Sequence, residues 1–207
     1  LPKVRALARR LRSIQPDVVV TEVASDLSAL GRNGGDSDGI SPDTAALVVG
    51  ATDDPRAQAE LDAWAFKAGI PGLFLGLYKG AEAGEVIFTI PGVTRCYRCV
   101  TAVRHQAAIE QTHDYGTNGR LSGEIALGAD ISRVTALGAK LALALVCLPH
   151  LDHPLVADFL LPLLAEGDRP RQMVVHSSVS RWGFFPEVFG ALHGQGPFQS
   201  VWVAASG

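Results

Sequence analysis

A chain of 207 residues, 47% hydrophobic and 19% charged, is long enough for one sizeable core. Its formal charge of −3, without a long Lys/Arg run, leaves no electrostatic footprint for nucleic acid or a membrane surface. The most apolar segment, Ala136 to Leu148, is too short to span a bilayer and carries Lys140, and no signal peptide is visible, so a cytoplasmic protein is expected.

Pro2 opens a segment in which Val4, Leu7, Ala8, Leu11 and Ile14 recur at helical spacing between Arg5, Arg9, Arg10 and Arg12, predicting an amphipathic helix. Because this helix begins so close to Leu1, which is not Met, the chain is expected to be a piece of something longer. Val18 to Val23 is short and β-branched, and reads as a strand. Gly31 to Gly39 is glycine-rich, but a phosphate cradle needs a strand before it and a helix start after it. Here a strand follows, so a surface loop is the expectation.

The run Ala46 to Ala51 predicts a buried strand, and Thr52-Asp53-Asp54-Pro55 then turns into a helix from Pro55 to Ala68, with Leu61, Trp64 and Ala65 as its buried stripe. Ligands of open α/β sheets bind beyond the carboxyl ends of strands, so Asp53 is the first candidate for holding Mg²⁺ or a ribose hydroxyl. It also suits the role of helix N-cap, and Asp54 and Asp62 are expected to be solvated or capping. Gly69-Ile70-Pro71-Gly72 stops the helix. Leu73 to Tyr78 follows as a strand that the crossover rule makes parallel to the first.

A small-residue turn over Gly80 to Gly84 leads into a strand from Glu85 to Ile90 that can pair antiparallel with its predecessor. Arg95 to Gly128 has weak periodicity and reads in part as a surface crossover, about residues 100–128, carrying His105, His113 and Tyr115. Asp130 or Ser132 is expected to cap a helix whose Ile131, Val134, Leu137, Leu141 and Leu145 form one face, with Cys147 buried inside it. Leu151 to Ala165 is a leucine-rich connector, and Gln172 to Val179 and Phe198 to Ala205 read as strands. No internal repeat or second domain is evident.

Three cysteines, two of them in Cys96-Tyr97-Arg98-Cys99, suit a reducing compartment with metal or thiol chemistry. The pair has the spacing of one zinc knuckle, which needs two further ligands. Zinc completed elsewhere, no zinc, and a redox dithiol all remain open readings, and Arg95 and Arg98 are placed to lower a thiol pKa. The low charge content leaves apolar surface for a homodimer interface.

In succession, Ala51-Thr52-Asp53-Asp54, Gly69-Ile70-Pro71, Gly76-Leu77-Tyr78 with Gly84-Glu85-Val86, and Pro91-Gly92-Val93-Thr94-Arg95-Cys96-Tyr97-Arg98-Cys99 resemble the ThiF/MoeB/E1-like family in order and spacing. Gly128-Ala129-Asp130-Ile131 before the later helix fits the same plan. The resemblance implies an α/β fold, a Rossmann-like three-layer sandwich with a mixed, largely parallel sheet, N-terminally incomplete, in one domain over residues 1–207. It implies ATP- and Mg²⁺-dependent adenylation of the C-terminal carboxylate of a ubiquitin-like or sulfur-carrier protein or peptide. Asp53 matches the family's metal-holding acid, Thr52 its neighbour in the cofactor site, and Lys3 its phosphate-binding lysine. The bland alternative for Lys3 is a solvated helix residue.

The departures matter equally. The family's glycine-rich fingerprint, its ribose acid and its phosphate-binding arginines lie upstream of the matching lysine. Its usual Arg and Asn in the helix after Thr-Asp are Gln58 and Asp62 here, and its second Cys-x-x-Cys lies beyond the last strand. No cysteine occurs between Arg104 and Gly128 to accept an acyl group, so a thioester step is not expected. A non-catalytic scaffold subunit, dimerising with a nucleotide-competent partner, is therefore the second reading. A dinucleotide oxidoreductase is the third, with only the α/β pattern behind it.

Overall fold

The computed structural model describes residues 2–25, 44–102, 126–165, 169–179 and 198–203. The glycine-rich loop over residues 31–39, the loop residues His105, His113 and Tyr115, and the end of the last expected strand lie outside the described residues. The chain divides into two compact units, Leu1–Ser41 and Pro42–Gly207.

In the first unit, helix α1 spans Lys3–Ile14, with Pro2 at its N-cap and Gln15 closing its last turn. The expected strand over Val18 to Val23 does not form, since none of these residues joins a ladder. Instead Arg12 takes over the backbone: its Nη2 donates to the Val20 carbonyl at 2.8 Å and its Nη1 pairs with Glu22 Oε1 at 3.0 Å.

The second unit is built on a five-stranded sheet in the order β1-β2-β3-β4-β5, comprising Val48–Gly50, Gly72–Leu77, Ala83–Thr89, Met173–Ser177 and Gln199–Val203. β1 and β2 are parallel, with Val48 opposite Gly72 and Gly50 opposite Phe74. Helix α2, Pro55–Lys67, is their crossover. The other three ladders are antiparallel, so the described sheet is mixed but not largely parallel. Its antiparallel character follows from the short Tyr78-to-Ala83 connection, too short for a crossover. There the Tyr78 N–H bonds to the Ala83 carbonyl at 2.9 Å, and Gly80 and Ala81 both take positive φ.

All seven residues of β3 are buried, as expected of a strand covered on both faces. On one face Leu73, Val86, Phe88 and Val174 pack against Val134, Leu141, Ala144 and Leu145 of helix α3, Gly128–Val146. On the other, Phe74, Ile87, Met173 and Val175 pack against Ala59 of α2 and against Tyr97. These are the three layers of the sandwich.

Neither Asp130 nor Ser132 caps α3. Leu127 occupies the N-cap and makes no side-chain capping bond, while Asp130 lies in the first turn, where the helix dipole favours an acid. Cys147 is at the C-cap, half-buried, and not inside the helix. The leucine-rich connector is itself helical: a π-helical turn over Leu155–Leu160 runs into α4, Leu161–Ala165, and adds Leu160 and Leu163 to the α3 core.

Candidate functional site

The C-terminal end of β1 is shaped by its neighbours before any ligand is considered. Gly50 lies against the Phe74 ring, where an added Cβ would come within 2.6 Å of Phe74 Cδ1. Past it the chain leaves the sheet, and the Thr52 hydroxyl ties the turn by accepting from the Asp54 N–H at 3.0 Å and approaching the Asp54 carbonyl at 3.1 Å. Asp54, not Asp53, is the N-cap of α2: its Oδ1 accepts from the Arg56 N–H at 2.8 Å, with Pro55 at the first helical position. Asp54 thus caps as expected, and the capping role envisaged for Asp53 is taken by its neighbour.

Asp53 stands exposed on this turn, and none of the hydrogen bonds that shape the turn uses its carboxylate. A carboxylate held on a rigid turn at the carboxyl end of a parallel strand is a fitting donor for a hard cation. Among the described residues no group of three His, Cys, Asp or Glu is placed to hold a metal by itself. That agrees with the habit of Mg²⁺ to rest on one or two carboxylates, substrate phosphates and water. Lys3, the other residue matched to the family, opens α1 in the first unit.

The turn is locked from beneath by Gln58, a residue whose role was not legible in the chain alone. It is 3% exposed, and its Nε2 donates to the carbonyls of both Thr52 and Leu75 at 2.8 Å. One amide therefore stitches the ends of β1 and β2 together.

One turn further along α2, Asp62 is 1% exposed rather than solvated, and it caps another helix rather than its own. Its Oδ1 accepts from Thr89 Oγ1 and its Oδ2 from the Tyr97 N–H, each at 2.8 Å. Tyr97 begins a helical segment over residues 97–102. A carboxylate at that N-terminus satisfies an orphan N–H and complements the dipole. Burial pushes the Asp62 carboxyl above its ordinary value, and the bonds from Tyr97 and Thr89 pull it partly back. Burial, with the Asp62 charge next, pushes the Tyr97 phenol up to about 12. Gln58 and Asp62 are four residues apart, so the sheet side of α2 carries a buried polar pair. Leu61 and Trp64 are only half-buried, beside Val48, Ala65 and Ile70.

Gln172, fully buried just before β4, clamps the turn at Arg95 that leads into this helical segment. Its Oε1 accepts from the Arg95 N–H at 3.0 Å, and its Nε2 donates to the Arg95 carbonyl at 2.7 Å and to the Phe88 carbonyl at 3.2 Å. The turn so held presents Cys96 and Cys99 with their Sγ atoms 3.1 Å apart. The hydrogen bond with Cys96, then burial, pushes the Cys99 thiol up, and Arg95 opposes the shift. Two thiols alone do not complete a zinc site, and the described residues bring no third ligand to them.

A further polar pair lies at the carboxyl end of β2. Tyr78 donates to Glu85 Oε2 at 2.8 Å, and Glu85 is 6% exposed on β3. On the α3 face, His176 Nδ1 is 2.9 Å from Ser200 Oγ, and burial, then the Arg133 charge, pushes the imidazole below 6.5.

Open α/β sheets hold their ligands beyond the carboxyl ends of their strands, and the acid-bearing turn after β1 lies at such an end. The chain belongs to the ThiF family, which it matches over residues 1–192. Comparison with the curated proteins gives no match. Among solved structures, it is similar to Escherichia coli MccB, with 13% identity over 99% of this chain and 47% of the other, at a TM-score of 0.53. It is likewise similar to Escherichia coli MccB with MccA, with 15% identity over 99% of this chain and 48% of the other, at the same TM-score. These likenesses agree with the α/β fold. The chain spans about half the length of the structures it matches. Among the described residues, no helix is long and apolar enough to cross a membrane.

Proposed function

We propose that this chain contributes the metal-holding wall of an adenylating site, acting with ATP and Mg²⁺ on the C-terminal carboxylate of a peptide or of a ubiquitin-like or sulfur-carrier protein. The observation that supports this reading is the β1–α2 turn: Thr52, Asp54 and Gln58 hold the backbone, and the Asp53 carboxylate stays outside their hydrogen bonds. When bound, Mg²⁺·ATP supplies the electrophilic α-phosphorus and neutralised triphosphate charge. In this reading Asp53 holds the metal, Lys3 meets phosphate, and the Thr52 turn keeps Asp53 in place without reorganisation. MccB, solved together with MccA, is a structural neighbour that inclines the choice toward a partner chain as the molecule acted on.

ATP–pyrophosphate exchange by the full-length protein, with a candidate peptide or carrier present, tests this reading. Asp53→Asn is expected to lower exchange by about 100-fold or more, the scale on which a preorganised charge-stabilising group acts, and to leave the fold intact. Undiminished exchange by that variant would sink the proposal.

A second reading, a non-catalytic scaffold subunit, is favoured by Gln58 and Asp62. The two positions where the family usually carries Arg and Asn are here committed to holding the turn and the Tyr97 helix. Exchange that is absent from the homo-oligomer but appears on adding a second, intact ThiF-family chain would favour the scaffold.

A further inference from the structure

His176 joins two features that neither the Asp53 turn nor the apolar core accounts for. It lies on β4 opposite Gly84 of β3 and Ser200 of β5, on the α3 face, and is 4% exposed. Its Nδ1 is 2.9 Å from Ser200 Oγ, but its Nε2 is buried without a hydrogen-bond partner. A buried polar atom left unpaired costs free energy, and folds rarely keep one. The second feature is Phe198, just before β5. Its φ of 64° is a left-handed backbone that a bulky L-residue takes only under constraint, and such strain gathers at switch regions. In that conformation its ring stacks on the imidazole, with centroids 6.5 Å apart, and Arg133 of α3 stands 5.5 Å over the same ring.

We propose that His176 is a proton-operated latch on β5: the neutral ring, bonded to Ser200 and stacked on Phe198, holds Gln199–Val203 on β4, and protonation releases that strand locally.

The charged groups facing the ring are Asp130 and Arg133, both from the start of α3, while β3 presents Gly84 and β5 the Ser200 hydroxyl and the Phe198 ring. The neutral imidazole leaves one ring nitrogen unpaired. The imidazolium carries an N–H on both nitrogens and a charge beside Arg133, so it needs water. The contacts that open to admit water are those of β5, where the Phe198 strain is relieved and four of the five strand residues are only half-buried. By contrast, β3 is buried throughout. Burial, then Arg133, holds the folded imidazole below 6.5, against the Gln199 backbone and Asp130. The released ring titrates near its ordinary value, so opening takes up a proton and grows as pH falls below 6.5.

Native-state amide hydrogen exchange of the full-length protein in low urea, corrected for the intrinsic rate at each pH, tests the latch. The Gln199–Val203 amides should exchange through an opening that depends little on urea, whereas those of Val86, Ile87 and Phe88 in β3 should need urea-sensitive global unfolding. The β5 opening should rise by up to about tenfold per pH unit below 6.5, the limit for one proton taken up. His176→Gln should abolish that rise. Arg133→Gln, at an exposed position, removes the repelling charge and should shrink the rise while bringing the imidazole titration, followed by its ring-proton shifts, closer to 6.5. The latch is overturned by β5 amides that share the urea dependence of β3 at acid pH. It is equally overturned by a β5 opening that ignores pH, or by a rise that survives in His176→Gln. If the His176→Gln chain does not fold, a rise of unchanged size in Arg133→Gln overturns it instead.

Discussion

The start and the middle of helix α2 make opposite use of an acid. At its start, Asp53 sits exposed on a turn built from short-range bonds among Thr52, Asp54 and Arg56, with Gln58 adding longer links to the sheet. Two turns later, Asp62 is buried and joins residues 27 and 35 positions away in the chain. An acid that serves the fold is consumed by donors that the fold supplies. One that serves a ligand is left without them by a scaffold that is rigid for other reasons. By that criterion Asp62 is the structural acid, and Asp53 is the one left open to the ligand proposed above.

The most severe way to test the contrast is Asp62→Ala, which leaves the Thr89 hydroxyl and the Tyr97 N–H buried without their acceptor. We expect a loss of about 3 kcal/mol, from two unsatisfied groups, read as a lower urea midpoint at unchanged slope. A loss below about 0.5 kcal/mol would break the comparison. Gln58→Ala should cost about 2 kcal/mol, since the carbonyls of Thr52 and Leu75 lose their shared donor. It should also lower exchange activity by loosening the turn. Asp54→Ala should cost about 1 kcal/mol as a lost N-cap. Asp53→Asn should change stability by less than about 0.5 kcal/mol, so that the two adjacent acids separate cleanly into a stability effect and an activity effect.

His176 supplies a test on the opposite face of the sheet. Its folded pKa is lowered below 6.5, so the unfolded chain binds the proton more readily. Its contribution to stability is therefore full above pH 6.5 and is lost as pH falls through 6.5 toward the lower folded value. His176→Gln should flatten that part of the pH–stability curve, and an unchanged slope would remove His176 as its source.

Much of this was legible from residue order. The Thr-Asp-Asp-Pro turn, the strand–helix–strand unit and the α3 stripe follow from local stereochemistry and period, because Pro, Gly and apolar spacing act over a few residues. Gln58, Asp62 and Gln172 were not legible, since a glutamine or aspartate in a helix or strand looks solvated until the partner that buries it is known. The four-residue spacing of Gln58 and Asp62 on α2 was the available signal, and it competes with Leu61, Trp64 and Ala65 for the same helix.

What the residues alone determined is where chain direction changes and which acid stands at the end of β1, both set by backbone chemistry within about four positions. Only the tertiary structure decided which acid is buried, and that Cys96 and Cys99 face each other. Those outcomes depend on partners brought from distant parts of the chain, as Thr89, Tyr97 and Gln172 are, and a buried polar group takes its role from the partner that satisfies it.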